Sequence, residues 1–240
     1  MTVDVDITVV EDNLAKVRQR LARAVARSGR PASSVRLVAV SKTFAPEHVR
    51  AAAAAGQVAF GENKLQEARE KIEQLSDLTV EWHLIGHLQS NKIRKAATLF
   101  HCIHSVDRLD KLQALDAAAA ELGTAPRALI QVDLAGEATK HGAPPEAVPA
   151  LVAAAGQCRS VQLVGLMVLP PYTEDPEGAR PYFQRLRKFR DELVRAGAEP
   201  FRLDELSMGM SHDFHVAVEE GATIVRIGSA IFGERHVRHP

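Results

Sequence analysis

Cysteine is nearly absent. Cys102 and Cys158 are the only two in 240 residues, both lie in apolar-rich stretches, and neither has a CxxC partner. A disulfide framework is therefore not expected, and a reducing cytoplasm fits better. An excess of one charge is also missing. Thirty basic and thirty acidic side chains give a formal net charge of zero, whereas nucleic-acid binders carry a basic surplus. The densest basic stretch, Arg180–Arg190, interleaves its charges with apolar residues as a solvated helix face does, so no nucleic-acid partner is expected. No apolar run approaches the roughly 20 residues of a membrane span. Met1–Glu11 is acidic and has neither the basic start nor the apolar core of a signal peptide. Linkers and low-complexity segments are missing too; the alanine runs Ala51–Ala55 and Ala117–Ala120 read as helix formers. These absences describe a cytoplasmic chain without membrane attachment, expected to form one domain over residues 1–240.

What is present is an alternation of two patterns. Asp12–Arg27 places Leu14, Val17, Leu21 and Val25 at helical spacing and stops at Gly29-Arg30-Pro31. Eight strand-like runs follow: Arg36–Ser41, Val58–Gly61, Trp82–Ile85, Cys102–His104, Leu129–Val132, Val164–Met167, Glu205–Ser207 and Thr223–Ile227. Between them lie helical patterns over Pro46–Ala55, Asn63–Leu75, Asn91–Leu99, Arg108–Leu122, Pro145–Ala155, Gly178–Ala196 and His212–Glu219, with a short helix from Ser229 after the last strand. Strands alternating with helices make a parallel sheet covered on both faces. Eight such units, close to the roughly 250 residues typical of the fold, predict a (β/α)8 TIM-type barrel with an extra N-terminal helix. An open doubly wound sheet is the rival, but no GxGxxG follows the first strand.

In such a barrel the chemistry gathers where strands end. The first strand ends in Ser41-Lys42-Thr43, and a lysine aimed into a barrel mouth is either a solvent-seeking side chain or a Schiff-base nucleophile activated by desolvation. The seventh runs into Ser207-Met208-Gly209-Met210-Ser211 and the eighth into Arg226-Ile227-Gly228-Ser229. Hydroxyls, glycines and backbone amides at these two strand ends suit a phosphate; on their own they are also ordinary glycine turns with serine caps. Together with Lys42 they suit pyridoxal 5′-phosphate (PLP).

The segments AVSKT (Ala39–Thr43), FGENK (Phe60–Lys64), EWHLIGHLQSNK (Glu81–Lys92), SVDR (Ser105–Arg108), GLM (Gly165–Met167), LSMGMSHDF (Leu206–Phe214) and VRIGSAIFG (Val225–Gly233) resemble the pyridoxal phosphate homeostasis protein family, which shares its barrel with the N-terminal domain of alanine racemase. The resemblance implies that Lys42 carries PLP as an internal aldimine. By the same resemblance Ser207, Ser211, Gly228 and Ser229 hold the phosphate, and Arg226 faces the pyridine nitrogen. Asn63, His83 and Met167 match positions lining the pocket. Three positions depart from the family pattern: Lys64 in place of a tyrosine, His212 in place of an acidic residue, and Ser229 in place of a threonine.

The resemblance further implies a protein that stores and delivers PLP without established turnover; apo PLP-dependent enzymes are expected as recipients, and a monomer or weak homodimer is expected as the assembly. Racemases on this barrel draw a second acid/base from an additional β-domain of the partner subunit, for which the 240 residues leave no room. Tyr172 and Tyr182, the only tyrosines, read as belonging to a loop and a helix face. A weak racemase-like enzyme, a phosphosugar aldolase and an interaction protein with a vestigial pocket stay open as alternatives. The pairs His101/His104, His212/His215 and His236/His239 lack the partners of a structural zinc site, so no metal is expected.

Overall fold

The structure, a computed structural model, describes residues 7–136, 141–197 and 203–234. The N-terminal helix, α1 (Ile7–Arg27), buries Val10, Leu14, Val17, Leu21, Ala24 and Val25. It starts five residues before the predicted Asp12 because Val10 extends the same apolar stripe by one turn. After it come β1 (Arg36–Val40), α2 (Pro46–Ala54), β2 (Ala59–Glu62), α3 (Leu65–Gln74), β3 (Glu81–Leu84), α4 (Ile93–Leu99), β4 (Cys102–Val106) and α5 (Leu109–Leu122). The second half contains β5 (Arg127–Gln131), α6 (Val148–Ala155), β6 (Gln162–Met167), α7 (Arg180–Arg195), β7 (Glu205–Ser207), α8 (Phe214–Glu219), β8 (Ile224–Ile227) and α9 (Ser229–Phe232). Single 3₁₀ turns precede α4, α6 and α7, so these helices begin later than the sequence pattern suggests.

The strands close into a barrel in the order β1 to β8, every pair parallel. The closing seam joins Arg36 to Ile224 and Ala39 to Ile227. Because side chains alternate along each strand, the barrel has two cores. The larger lies between strands and helices and includes Phe60, Ile103, Leu166, Phe183 and Phe214. The smaller fills the lumen with Val38, Ala59, Cys102, Leu129, Met167 and Ile224. The first residues of the odd-numbered strands ring the N-terminal mouth in two ion pairs, Arg36–Glu81 at 2.7 Å and Arg127–Glu205 at 2.8 Å. Among the described residues no helix is long and apolar enough to cross a membrane.

Candidate functional site

A cavity of about 460 Å³ opens at the C-terminal mouth, as expected where eight strand ends meet. Six of the nine sequence-predicted residues line it: Lys42, Asn63, Ser211, Arg226, Gly228 and Ser229. His83, Met167 and Ser207 do not. All three are fully buried in the lumen beneath it. Met167 belongs to the inner apolar core. The Ser207 hydroxyl accepts from Arg226 Nη1 at 2.6 Å and sits 2.9 Å from His104 Nδ1. The Ser207 hydroxyl, expected at the phosphate, is thus bonded within the barrel interior, beneath the cavity wall.

The half-buried Lys42 follows β1 on a segment held from both sides. Ser41 Oγ donates to Glu62 Oε1 at 2.6 Å, and Lys71 Nζ donates to the Ser41 carbonyl at 2.6 Å. Lys71 also bonds Glu62 at 2.8 Å and Glu67 at 2.7 Å, while Glu67 accepts from the Thr43 amide. Thr43 has φ 71°, the one non-glycine among the described residues with a positive φ, a conformation that persists only when its surroundings impose it. Burial pushes the Glu62 carboxyl upward, against the pull of Lys71 and Ser41. Sequence reasoning missed Glu62, Glu67 and Lys71. The Glu67/Lys71 spacing of four on a helix and an acidic residue ending a buried strand were the available signals.

Across the cavity, Gly209 adopts φ 93°, and a Cβ there would lie 2.6 Å from that of Ala217. Met210 N donates to Asp213 Oδ1 at 2.6 Å, closing a turn that delays α8 from the predicted His212 to Phe214. Ser211 Oγ accepts from the amides of Gly228 at 3.2 Å and Ala230 at 3.4 Å, tying the β7 and β8 ends together. A Cβ on Gly228 would approach the Val40 carbonyl to 3.1 Å. Arg226 forms the floor: 3% exposed, its Nη2 donates to the Val168 carbonyl at 3.0 Å, and burial lowers its pKa to about 10.

The cavity rim also carries groups to which the sequence reading gave no role. His87 stacks on His141 with centroids 3.6 Å apart, and Lys111 bonds Asp107 at 2.8 Å. His87, Asp107 and His141 form one cluster whose potential ligand atoms fall within 4.8 Å of one another; His83, Cys102 and His104 form a second. Of the histidine pairs noted in the sequence, only His104 enters one of these clusters. His101 accepts from the Trp82 amide at 3.1 Å, His212 Nε2 meets the Glu174 carbonyl at 2.9 Å, and His236 and His239 lie outside the described residues. Tyr172, in a loop as expected, is 81% exposed and lines the cavity; Tyr182 lies on α7, partly buried. Lys64 faces a neighbouring groove that also contains Lys92.

The chain matches the family described as alanine racemase, N-terminal domain, over residues 12–236. It is 44% identical to the pyridoxal phosphate homeostasis protein of Aquifex aeolicus, covering 93% of this chain and 97% of that one. It is 43% identical to the protein of the same name from Pseudomonas aeruginosa, covering 98% and 99%. Among solved structures, PipY of Synechococcus elongatus with PLP bound matches with a TM-score of 0.83 and 42% identity, over 93% of this chain and 100% of that chain.

Proposed function

Because the chain belongs to the pyridoxal phosphate homeostasis protein family, built on the N-terminal domain of alanine racemase, we propose that it holds PLP in the barrel mouth, joined covalently to Lys42, and stores and hands on the cofactor. One observation carries this reading: Lys42, the Arg226 guanidinium and the Ser211–Gly228–Ser229 corner converge on a single cavity. The donor set fits the group. Lys42 would offer an amine to the aldehyde, Arg226 a donor-only cation to the ring nitrogen, and the Ser211–Gly228–Ser229 corner hydroxyls with backbone amides to the phosphate. Gly228 packs so closely on Val40 that a Cβ there would lie 3.1 Å from the Val40 carbonyl oxygen, so a side chain at this edge of the cavity would have to displace its neighbour. When bound, PLP supplies a reactive aldehyde and a ring that serves PLP enzymes as an electron sink.

The residues of this chain favour binding over turnover. Ser211, Gly228 and Ser229 would hold the phosphate, and Asn63 would wall the ring. The ion pairs around Ser41 and Thr43 orient Lys42. Arg226 can only donate, so a ring nitrogen held against it would stay unprotonated and withdraw electrons less strongly. The names of the relatives and the PLP bound to PipY support the ligand. The two free thiols, Cys102 and Cys158, support a cytoplasmic setting. Apo PLP-dependent enzymes are the proposed recipients, and a monomer or weak homodimer the proposed assembly.

The test is an absorption spectrum with added PLP, then borohydride reduction and peptide mass mapping, in the wild type and in Lys42→Ala. A yellow band with the adduct on Lys42, both lost in the variant, is the expected outcome. An adduct scattered over surface lysines would sink the site. Repeated Lys42-dependent turnover of an amino acid would overturn the storage role.

A further inference from the structure

A file of polar side chains crosses the lumen from the cavity floor to the opposite mouth. Arg226 Nη1 donates to Ser207 Oγ at 2.6 Å, Ser207 Oγ lies 2.9 Å from His104 Nδ1, and His104 Nε2 lies 2.9 Å from His83 Nδ1. His83 Nε2 is buried, makes no hydrogen bond, and stands 3.6 Å from Glu81 Oε2. Since β4 and β7 are not neighbours in the sheet, the Ser207–His104 bond spans the interior.

The proton positions follow from the two ends. Beside the Glu81 carboxylate, His83 carries its hydrogen on Nε2, because a lone pair there would face a negative charge. Its Nδ1 must then accept, so His104 donates from Nε2 and accepts at Nδ1. Ser207 therefore donates to His104 and has its lone pairs left for Arg226, which can only donate. Every link agrees with both ends. Burial lowers the pKa of both histidines; Glu81 pulls His83 back up without reversing that direction, and the more distant Arg36 and Arg127 push both rings down, so the neutral forms are favoured. Glu205, paired with Arg127, is the other carboxylate of that mouth. Three of the four ring nitrogens are occupied by the file, and burial pushes the adjacent Cys102 thiol up to about 12. The group His83–Cys102–His104 is thus better described as a relay of hydrogen bonds than as a ligand set.

We propose that Glu81, His83, His104 and Ser207 form a polarised file that fixes both histidine tautomers and positions Arg226 as a cation at the cofactor floor. Glu81, at the far mouth of the barrel, is a positioning residue for the pocket. The consequence for PLP rests on the proposed function; the file itself does not.

The experiment uses ¹⁵N-histidine NMR on the protein without added PLP, and PLP retention measured on the loaded protein. In the wild type at about pH 7.5, His83 and His104 are expected as neutral Nε2–H tautomers. In Glu81→Leu, His83 should populate the Nδ1–H form, and Glu81→Asp should restore the original tautomer. Glu81→Leu and Ser207→Ala should release PLP roughly three- to tenfold more readily while the adduct stays on Lys42. A wild-type His83 protonated on Nδ1 would overturn the file without any variant having to fold. Unchanged tautomers and unchanged PLP retention in Glu81→Leu would overturn it as well. Expected tautomers in a wild type that forms no Lys42 adduct would leave the file standing and remove the cofactor reading.

Discussion

Lys71 Nζ lies 2.8 Å from Glu62 Oε1 and 2.6 Å from the Ser41 carbonyl oxygen, so the segment bearing Lys42 rests on a buried ammonium. Neither partner has solvent to fall back on: Glu62 is fully buried and Lys71 is 4% exposed. Breaking such a pair strands a charge, whereas removing both partners leaves far less to compensate.

Lys71→Met should therefore lower stability by about 3–5 kcal/mol in urea denaturation, and Glu62→Gln combined with Lys71→Met should recover part of that loss. The same variant should also retard adduct formation at Lys42, because Ser41 and Thr43 lose their anchor. A double variant no more stable than Lys71→Met would refute the uncompensated-charge account.

Gly228→Ala separates binding from stability. Its Cβ would press on the Val40 carbonyl at 3.1 Å, and the small backbone shift that relieves this contact would move the Gly228 amide, part of the corner proposed for the phosphate. PLP retention should fall about tenfold while stability drops by roughly 1 kcal/mol or less. At Gly209, with φ 93° and a Cβ only 2.6 Å from Ala217, the alanine variant should instead lose about 2–3 kcal/mol, seen as a lower Tm.

Stability should depend on pH through the buried imidazoles. Burial holds His83 and His104 below the ordinary 6.5, so below that pH the unfolded chain binds more protons than the folded one. The stabilisation is complete above about pH 6.5 and declines as pH falls, by up to about 1.4 kcal/mol per pH unit for each ring. His48, His87 and His215 shift in the same direction. Urea midpoints at pH 7.5 and 5.5 measure it, and a flat profile would contradict neutral buried rings.

The two thiols should differ in reactivity. Burial holds Cys102 at about 12 and Cys158 at about 11, so neither forms much thiolate at neutral pH, but only Cys158 is partly exposed. A thiol reagent should label Cys158 slowly in the native protein and Cys102 only after denaturation; fast labelling of Cys102 would show that the lumen opens.

Periodicity carried the fold because each of its signals is local: a stripe such as Leu14–Val17–Leu21, or an apolar run ending in a polar residue, can be read without knowing its neighbours. Strand ends likewise led to Lys42, Ser211, Arg226, Gly228 and Ser229, since in a barrel those positions meet by geometry. Depth was not legible. Ser207 and Ser211 look equivalent in SMGMS, yet one is spent on Arg226 and His104 inside the lumen and the other ties the β8 amides. Nor could the sequence show that His83 meets His104, or that Lys71 reaches back to Ser41. These contacts join residues 21 and 30 positions apart and exist only once the strands have been set in register.

The seam between β1 and β8 pairs Arg36 with Ile224, and that pairing sets an order of events during synthesis. Until the eighth strand has been made, the nascent sheet has two unpaired edges, of the kind that recruit other chains. The amide of Asn13 on α1 then reaches the Ile231 carbonyl on α9 at 3.2 Å, latching the first described helix to the last. Folding of the whole barrel is thus expected to be a late, slow and aggregation-exposed step that chaperones would protect, with the newly made chain at its most vulnerable just before its final strand docks.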